Sequence, residues 1–316
     1  MSEILMLGER DVRQLLDVEA MLDVLAEGFK ALTEGTVAAP PRSGVETAEG
    51  FLLSMPAWAP GRSIGVKLVA VYHGNAAKGI PGHQALICLF DGETGTPLAV
   101  MDGTGITALR TAGGAALSAR LLAREDAKTL AIVGAGVQGR SHLQVVPAVR
   151  AIAEIRIASL YPQDAEKLAG EDTRARAVAS YEEAVRGADI VCLCTSAQEP
   201  VIELGWLAPG AHVTSVGFNP PGGELHTDIV AAGKLYVETA MAFAPPPAGC
   251  AELEGLDANA GAELGEVLLG RKPGREAADE LTVYKAMGHA MEDLVAAQLV
   301  YERAKAQGVG QTVSMA

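Results

Sequence analysis

The spacing of hydrophobic positions along the chain changes at about residue 128, and the change separates two textures. Ahead of it, residues 16–34 repeat apolar side chains at helical spacing and predict a helix, closed by a corner at Pro40 and Pro41. Short runs then predict strands: GFLLSMPAW, SIGVKLVAVY, HQALICLFD and TPLAVMD, the last two joined by GETG, a plausible hairpin turn. These runs predict an antiparallel or mixed sheet. ITALRTAGGAALSARLLA (106–123), rich in Ala and Leu, predicts a long helix.

Beyond Lys128 strands and helices alternate. TLAIVGAG is followed by a helix to about Arg150, EIRIASL, a helix from Asp164, a short strand near ARAVAS, a helix over YEEAVRGA, and then DIVCLCT, AHVTSVGF and KLYVET. Alternation of this kind predicts βαβ units and a parallel, Rossmann-type doubly wound sheet covered on both faces. The closing TVYKAMGHAMEDLVAAQLVYERAKAQG shows helical periodicity with basic residues in its last turn.

Composition narrows the function classes. At 316 residues the chain predicts two domains, and a content half hydrophobic and one-fifth charged predicts a globular protein. A formal charge of −14 without Lys/Arg clusters disfavours nucleic acid and anionic membrane surfaces as partners. The acids near the N-terminus and the absence of a long uninterrupted apolar run predict a cytoplasmic location. Cys88, Cys192, Cys194 and Cys250 form no CxxC pair, and Cys192 and Cys194 share one strand face as packing residues. No histidine stands at a metal-ligand spacing, so no metal is expected.

Candidate chemistry begins with GAGVQG. Gly134, Gly136 and Gly139 follow a buried strand and precede a helix, the context in which this spacing signals a dinucleotide. The first glycine permits a tight turn, the second lets backbone approach a pyrophosphate, and the third lets helix pack on strand. About twenty residues on, NAD enzymes usually place an acid for the adenosine ribose. Here that strand end reads Ala158-Ser159-Leu160-Tyr161, with neither acid nor Arg. NAD and NADP both stay open, with a lean to NADP(H). Three cations then stand in apolar or small-residue surroundings: Arg42, Lys67 and Arg110. Each needs a partner, either a substrate carboxylate or a carboxylate of the protein.

HQALICLFD, PLAVMDG, ITALRTA, GAGVQGRSH, ELGEVLLGRKPGR and DELTVYKAMGHAMEDLVAA, in this order, resemble the ornithine cyclodeaminase / mu-crystallin family over nearly the whole chain. The resemblance implies a homodimer. It implies a substrate-binding and dimerisation domain over 1–120, completed by 290–316, and a dinucleotide-binding domain over 121–289. It also implies that Arg42, Lys67 and Arg110 hold an amino-acid carboxylate, with Lys67 near the reacting carbon. His83, Thr111, Val137, Gln138, Ser159, Thr195 and Val216 match cofactor contacts.

Two chemistries follow from the resemblance. One is NAD(P)H-dependent reduction of imino acids, cyclic ketimine carboxylates such as pyrroline-2-carboxylate, or amino-acid dehydrogenase-like turnover. The other is ornithine cyclodeamination to proline and ammonia, with NAD as a recycled cofactor. The family's cyclodeaminases use an Asp base in a loop resembling G-G-D-x-P-G-K. Here the loop reads Gly217-Phe218-Asn219-Pro220-Pro221-Gly222, one residue shorter and without the lysine. An amide cannot serve as a general base near neutral pH, so Asn219 at this catalytic position favours imine reduction. A non-enzymatic small-ligand-binding protein is the third reading.

Overall fold

The computed structural model describes residues 3–246 and 248–314. Their contacts divide the chain into two compact units, residues up to Arg110 joined by those from His289 onward, and Thr111–Gly288. The first unit opens on strand β1 (Glu3–Leu7), which the helical reading of the N-terminus passed over, and helices α1 (Glu9–Leu15) and α2 (Val18–Thr33) follow. The Asp17 carboxylate caps α2, accepting from the Ala20 N–H at 2.9 Å, and Met21, Leu22, Leu25 and Phe29 form its buried stripe. Strands β2 (Ser43–Glu46), β3 (Phe51–Trp58), β4 (Ile64–Val71), β5 (His83–Phe90) and β6 (Pro97–Asp102) then run antiparallel, neighbour to neighbour. The turn between β5 and β6 uses Gly95 at φ 70°, the left-handed region that glycine enters without strain.

Helix α3 (Gly103–Leu122) starts under Asp102, whose two carboxylate oxygens accept from the N–H groups of Thr104 (3.1 Å) and Gly105 (2.9 Å). It is buried on almost every side, which explains its small residues. The division between units falls inside this helix, at Arg110, rather than at 120/121. Its later turns belong with the second unit, where Ser118 and His212 share a hydrogen bond at 3.0 Å.

The second unit comprises β7 (Thr129–Val133), α4 (Val137–Val145), β8 (Glu154–Ala158), α5 (Pro162–Ala169), β9 (Ala175–Ala177), α6 (Tyr181–Val185), β10 (Ile190–Leu193), β11 (His212–Ser215), α7 (Thr227–Ala232), β12 (Lys234–Val237), β13 (Gly261–Glu263), α8 (Leu264–Leu268) and β14 (Thr282–Lys285). All its strands pair in parallel, in the order β13-β12-β14-β11-β10-β7-β8-β9. From β7 the order runs outward in both directions, so the switch point lies between β7 and β10, where open α/β sheets bind ligands. One expectation is corrected here. TVYK is no part of a helix but strand β14, seated between β11 and β12 and buried throughout, and Gly288 at φ 79° separates it from the helix beyond. Four residues are too few for periodicity to distinguish strand from helix.

The chain ends in the first unit with α9 (Ala290–Gln307) and β15 (Gln311–Ser314). β15 pairs antiparallel with β1, which also pairs in parallel with β6, making the sheet mixed, in the order β15-β1-β6-β5-β4-β3-β2. Helix α9 lies against one face of that sheet and against α2. A Cβ on Gly65 would meet Leu294 Cδ1 at 3.0 Å, so glycine in β4 admits the helix. No helix among the described residues is long and apolar enough to cross a membrane.

Candidate active site

In β4 the positions Gly65, Lys67 and Val69 lie on the buried face while their neighbours are less covered, so Lys67 occupies an inward position that alternation reserves for apolar residues. It is 3 % exposed. Its Nζ lies 2.7 Å from Asp293 Oδ2. Arg110, on α3 and equally buried, donates from Nε to Asp293 Oδ1 at 2.9 Å and from Nη1 to Glu292 Oε2 at 3.0 Å. Asp293 therefore bridges both cations. The first turn of α9 sets its position: the His289 N–H donates to Glu292 Oε2 at 2.7 Å, and the Met291 N–H donates to His289 Nδ1 at 3.1 Å, a reciprocal cap. Of the two partners the sequence allowed for Lys67 and Arg110, the protein carboxylate is present.

Burial pushes the Lys67 ammonium down to about 8, against the pull of Asp293. Burial by itself would raise Asp293, but Arg110 and Lys67 outweigh it and hold the carboxyl below its usual range. His83 pairs in register with Val71 and so shares the sheet face of Lys67. Burial, and then the charges of Lys67 and Arg110, push it down to about 4, leaving a neutral imidazole. Arg42, half-buried, directly precedes β2. Ser43 there faces Ser54, next to the Met55 that faces Lys67.

In the second unit the three glycines do separate work. Gly134 takes φ 104°, and a Cβ there would meet Cys194 O at 2.6 Å. At Gly136, the N-cap of α4, a Cβ would meet nothing within 4 Å. At Gly139 it would meet Gly134 O at 2.0 Å. Open space at the second glycine, beside a helix start with no side-chain cap, fits a pyrophosphate on the first-turn N–H groups. Val137 and Gln138 stand in that turn, Val137 exposed. The Gly134 N–H donates to Ala158 O at 2.8 Å, tying the turn to the end of β8. Ser159 follows, half-buried, then exposed Leu160 and Tyr161. Thr195 follows β10 and adjoins the glycine turn, since a Cβ on Gly134 would meet its Cγ2 at 3.2 Å. Thr111 in α3 and Val216 after β11 are buried.

The loop after β11 closes on itself. Asn219 forms a bridge with Gly222 and donates from Nδ2 to Ser196 O at 2.7 Å, clasping the loop to the segment beyond β10. A carboxylate could not make that donation. Beneath it lies a group the sequence pattern did not assemble, in which Glu224 and Lys285 are fully buried. Glu224 accepts from Thr195 and Gly217, and Lys285 Nζ reaches Glu252 Oε1 at 2.8 Å and Gly217 O at 2.7 Å. Among the described residues no group of His, Cys, Asp and Glu is arranged to hold a metal; the side chain of His73 lies outside them.

The acids of the first cluster were also missed. Their signal was available: Asp293, Ala297, Val300 and Ala304 follow one another at helical spacing and are all buried, so Asp293 interrupts an apolar stripe. Acids in a first helical turn ordinarily serve the helix dipole, and that explanation hides them.

Three comparisons bear on this geometry. Ketimine reductase mu-crystallin of Mus musculus is 39 % identical over 286 residues, covering 89 % of this chain and 90 % of that protein. The Thermococcus litoralis Δ1-pyrroline-2-carboxylate reductase, solved with NADH and L-proline, superposes with a TM-score of 0.93 at 34 % identity, covering 98 % of this chain and 100 % of the other. An archaeal alanine dehydrogenase, a dimer with bound NAD, gives 0.89 at 30 % identity over 99 % and 100 % of the two chains. A family model matches residues 2–308, and the chain belongs to the ornithine cyclodeaminase/mu-crystallin family.

Proposed function

We propose that this protein is an NAD(P)H-dependent reductase of imino acids, acting on cyclic ketimine carboxylates such as pyrroline-2-carboxylate. The observation that carries the reading is the buried Lys67–Asp293 pair, an ammonium held near neutrality beside a guanidinium. Reducing a C=N bond takes a hydride at carbon and a proton at nitrogen, and the bound nicotinamide supplies the hydride. Lys67 gives the nitrogen a proton from Nζ and regains it from water. A group whose pKa lies near the working pH does this best. Arg110 orients the substrate carboxylate together with Arg42. His83, uncharged, adds no competing cation. Gly134, Gly136, Gly139, Val137 and Gln138 hold the dinucleotide, with Thr111, Ser159, Thr195 and Val216 along it. The end of β8 carries no carboxylate to repel a 2′-phosphate, which supports acceptance of NADPH beside NADH.

Asn219 supports reduction over cyclodeamination, because its amide is spent on Ser196 O and cannot take a proton from an ammonium. The mixed sheet also supports a homodimer. On its face away from α9, Met6, Leu52 and Leu86 are 41, 42 and 52 % exposed, an apolar face of the kind that a second copy covers. The test is a single panel: NADH and NADPH oxidation with pyrroline-2-carboxylate, piperideine-2-carboxylate, and pyruvate plus ammonia or methylamine, beside proline formation from ornithine with NAD. Rapid reduction of the cyclic imines and no proline from ornithine are expected. Robust proline formation would sink the reading in favour of ornithine cyclodeaminase, and inertness toward every imine would leave a ligand-binding protein.

A further inference from the structure

Glu224 has no solvent exposure, yet nothing in the proposed chemistry uses it. Its Oε2 accepts from the Thr195 N–H at 2.7 Å and the Thr195 hydroxyl at 2.7 Å. Its Oε1 accepts from the Gly217 N–H at 2.7 Å and the Ser215 hydroxyl at 3.0 Å. Four donors fill the lone-pair sites of a carboxylate. Those donors come from the C-terminal ends of β10 and β11, neighbours in the sheet, of which β10 also pairs with β7, the strand that leads into the glycine turn. Thr195 is the link, holding Glu224 with its N–H and hydroxyl and facing the Gly134 turn with its methyl group.

The charge is answered from below. Lys285, fully buried, lies 3.1 Å from Ser215 Oγ, 2.7 Å from Gly217 O and 2.8 Å from Glu252 Oε1. Ser215 thus passes its proton toward Glu224 while accepting from Lys285. Packing leaves no slack around the group: a Cβ on Gly217 would meet Glu224 Cδ at 2.6 Å, and one on Gly223 would meet Glu252 Cδ at 2.0 Å.

We infer that Glu224 is a positioning residue of the cofactor site: its carboxylate gathers Thr195, Ser215 and Gly217 so that the two strand ends beside the glycine turn present one fixed surface to the nicotinamide dinucleotide. The inference rests on the proposed NAD(P)H chemistry. With four donors on its oxygens and no face open to solvent, Glu224 presents no free lone pair to a substrate and does not act as a base in place of Asn219.

Glu224→Gln tests this, because the amide must turn a donor toward N–H and O–H groups that already donate. NADH affinity, followed by cofactor fluorescence, is expected to fall tenfold or more, with kcat down by a similar factor in both the reductive and the oxidative direction. The KM for the imino acid should move less than threefold. Thr195→Val, nearly isosteric, is the companion should Glu224→Gln fail to fold. It should show the same pattern more weakly, and in the double variant the two losses should fall short of additive. Unchanged NADH affinity in folded variants would overturn the inference, and so would a loss confined to amino-acid oxidation, the mark of a base. Failure of the wild type to bind NADH or reduce any imine would instead strike the proposed function itself.

Discussion

Lys67 owes its chemistry to its place in the β4 alternation. An inward lysine beneath a helix loses hydration, which lowers its pKa, and Asp293, with a smaller contribution from Glu292, pulls it back up. Because the folded pKa is depressed to about 8, the proton donor is present below that pH and lost above it, so kcat/KM for imine reduction should hold at lower pH and decline as pH rises through about 8. Asp293→Asn removes the charge that raises Lys67, and the decline should move to lower pH; a profile that stays in place would detach Lys67 from the proton transfer. Lys67→Met should cut kcat by about 10²- to 10⁴-fold, the usual worth of a positioned acid. Arg110 teaches a different lesson. The family resemblance assigns its guanidinium to a substrate carboxylate, and with that partner alone Arg110→Leu would leave the fold intact. With Asp293 and Glu292 both on its guanidinium, the same change takes a buried cation from two carboxylates, leaving Asp293 with Lys67 and Glu292 with the His289 N–H, and should cost about 3 kcal/mol of stability as well as activity, measurable by denaturant unfolding.

At the level of elements, the glycine turn and the end of β8 were legible because each is local. GAGVQG carries its geometry in neighbouring residues, of which Gly134 and Gly139 have no room for a side chain, and Gly139→Ala would drive a Cβ to within 2.0 Å of Gly134 O. Helix and strand would then separate, and weakened dinucleotide binding is expected in titrations with NADH and NADPH. Ser159→Asp should shift preference toward NADH by placing a carboxylate where the adenosine ribose is read. An unmoved NADPH to NADH ratio would mean that another element sets the preference. What local pattern did not reveal was β1, β15 and β14. β1 and β15 pair with each other from opposite ends of the chain, and β14 is inserted between β11 and β12. Their hydrogen-bond partners are remote in sequence, and runs this short carry no period of their own.

For the whole molecule, the exposed apolar face of the mixed sheet calls for a cover, and Leu86→Lys should halve the mass seen by sedimentation if a second copy supplies it. A wild type that sediments as a monomer would refute the dimer. The sequence by itself determined the class of the fold, the dinucleotide motif and its register, the three cations, and Asn219 in its proline-rich loop. These are written in neighbouring residues whose periodicity or steric need is local. Only the tertiary structure decided which groups those residues answer. Asp293 and Glu292 meet Lys67 and Arg110 across most of the chain's length, and Glu224 gathers two strand ends over Lys285 and Glu252. A buried charge is balanced by whatever the fold brings within about 3 Å of it, a distance that sequence separation does not measure.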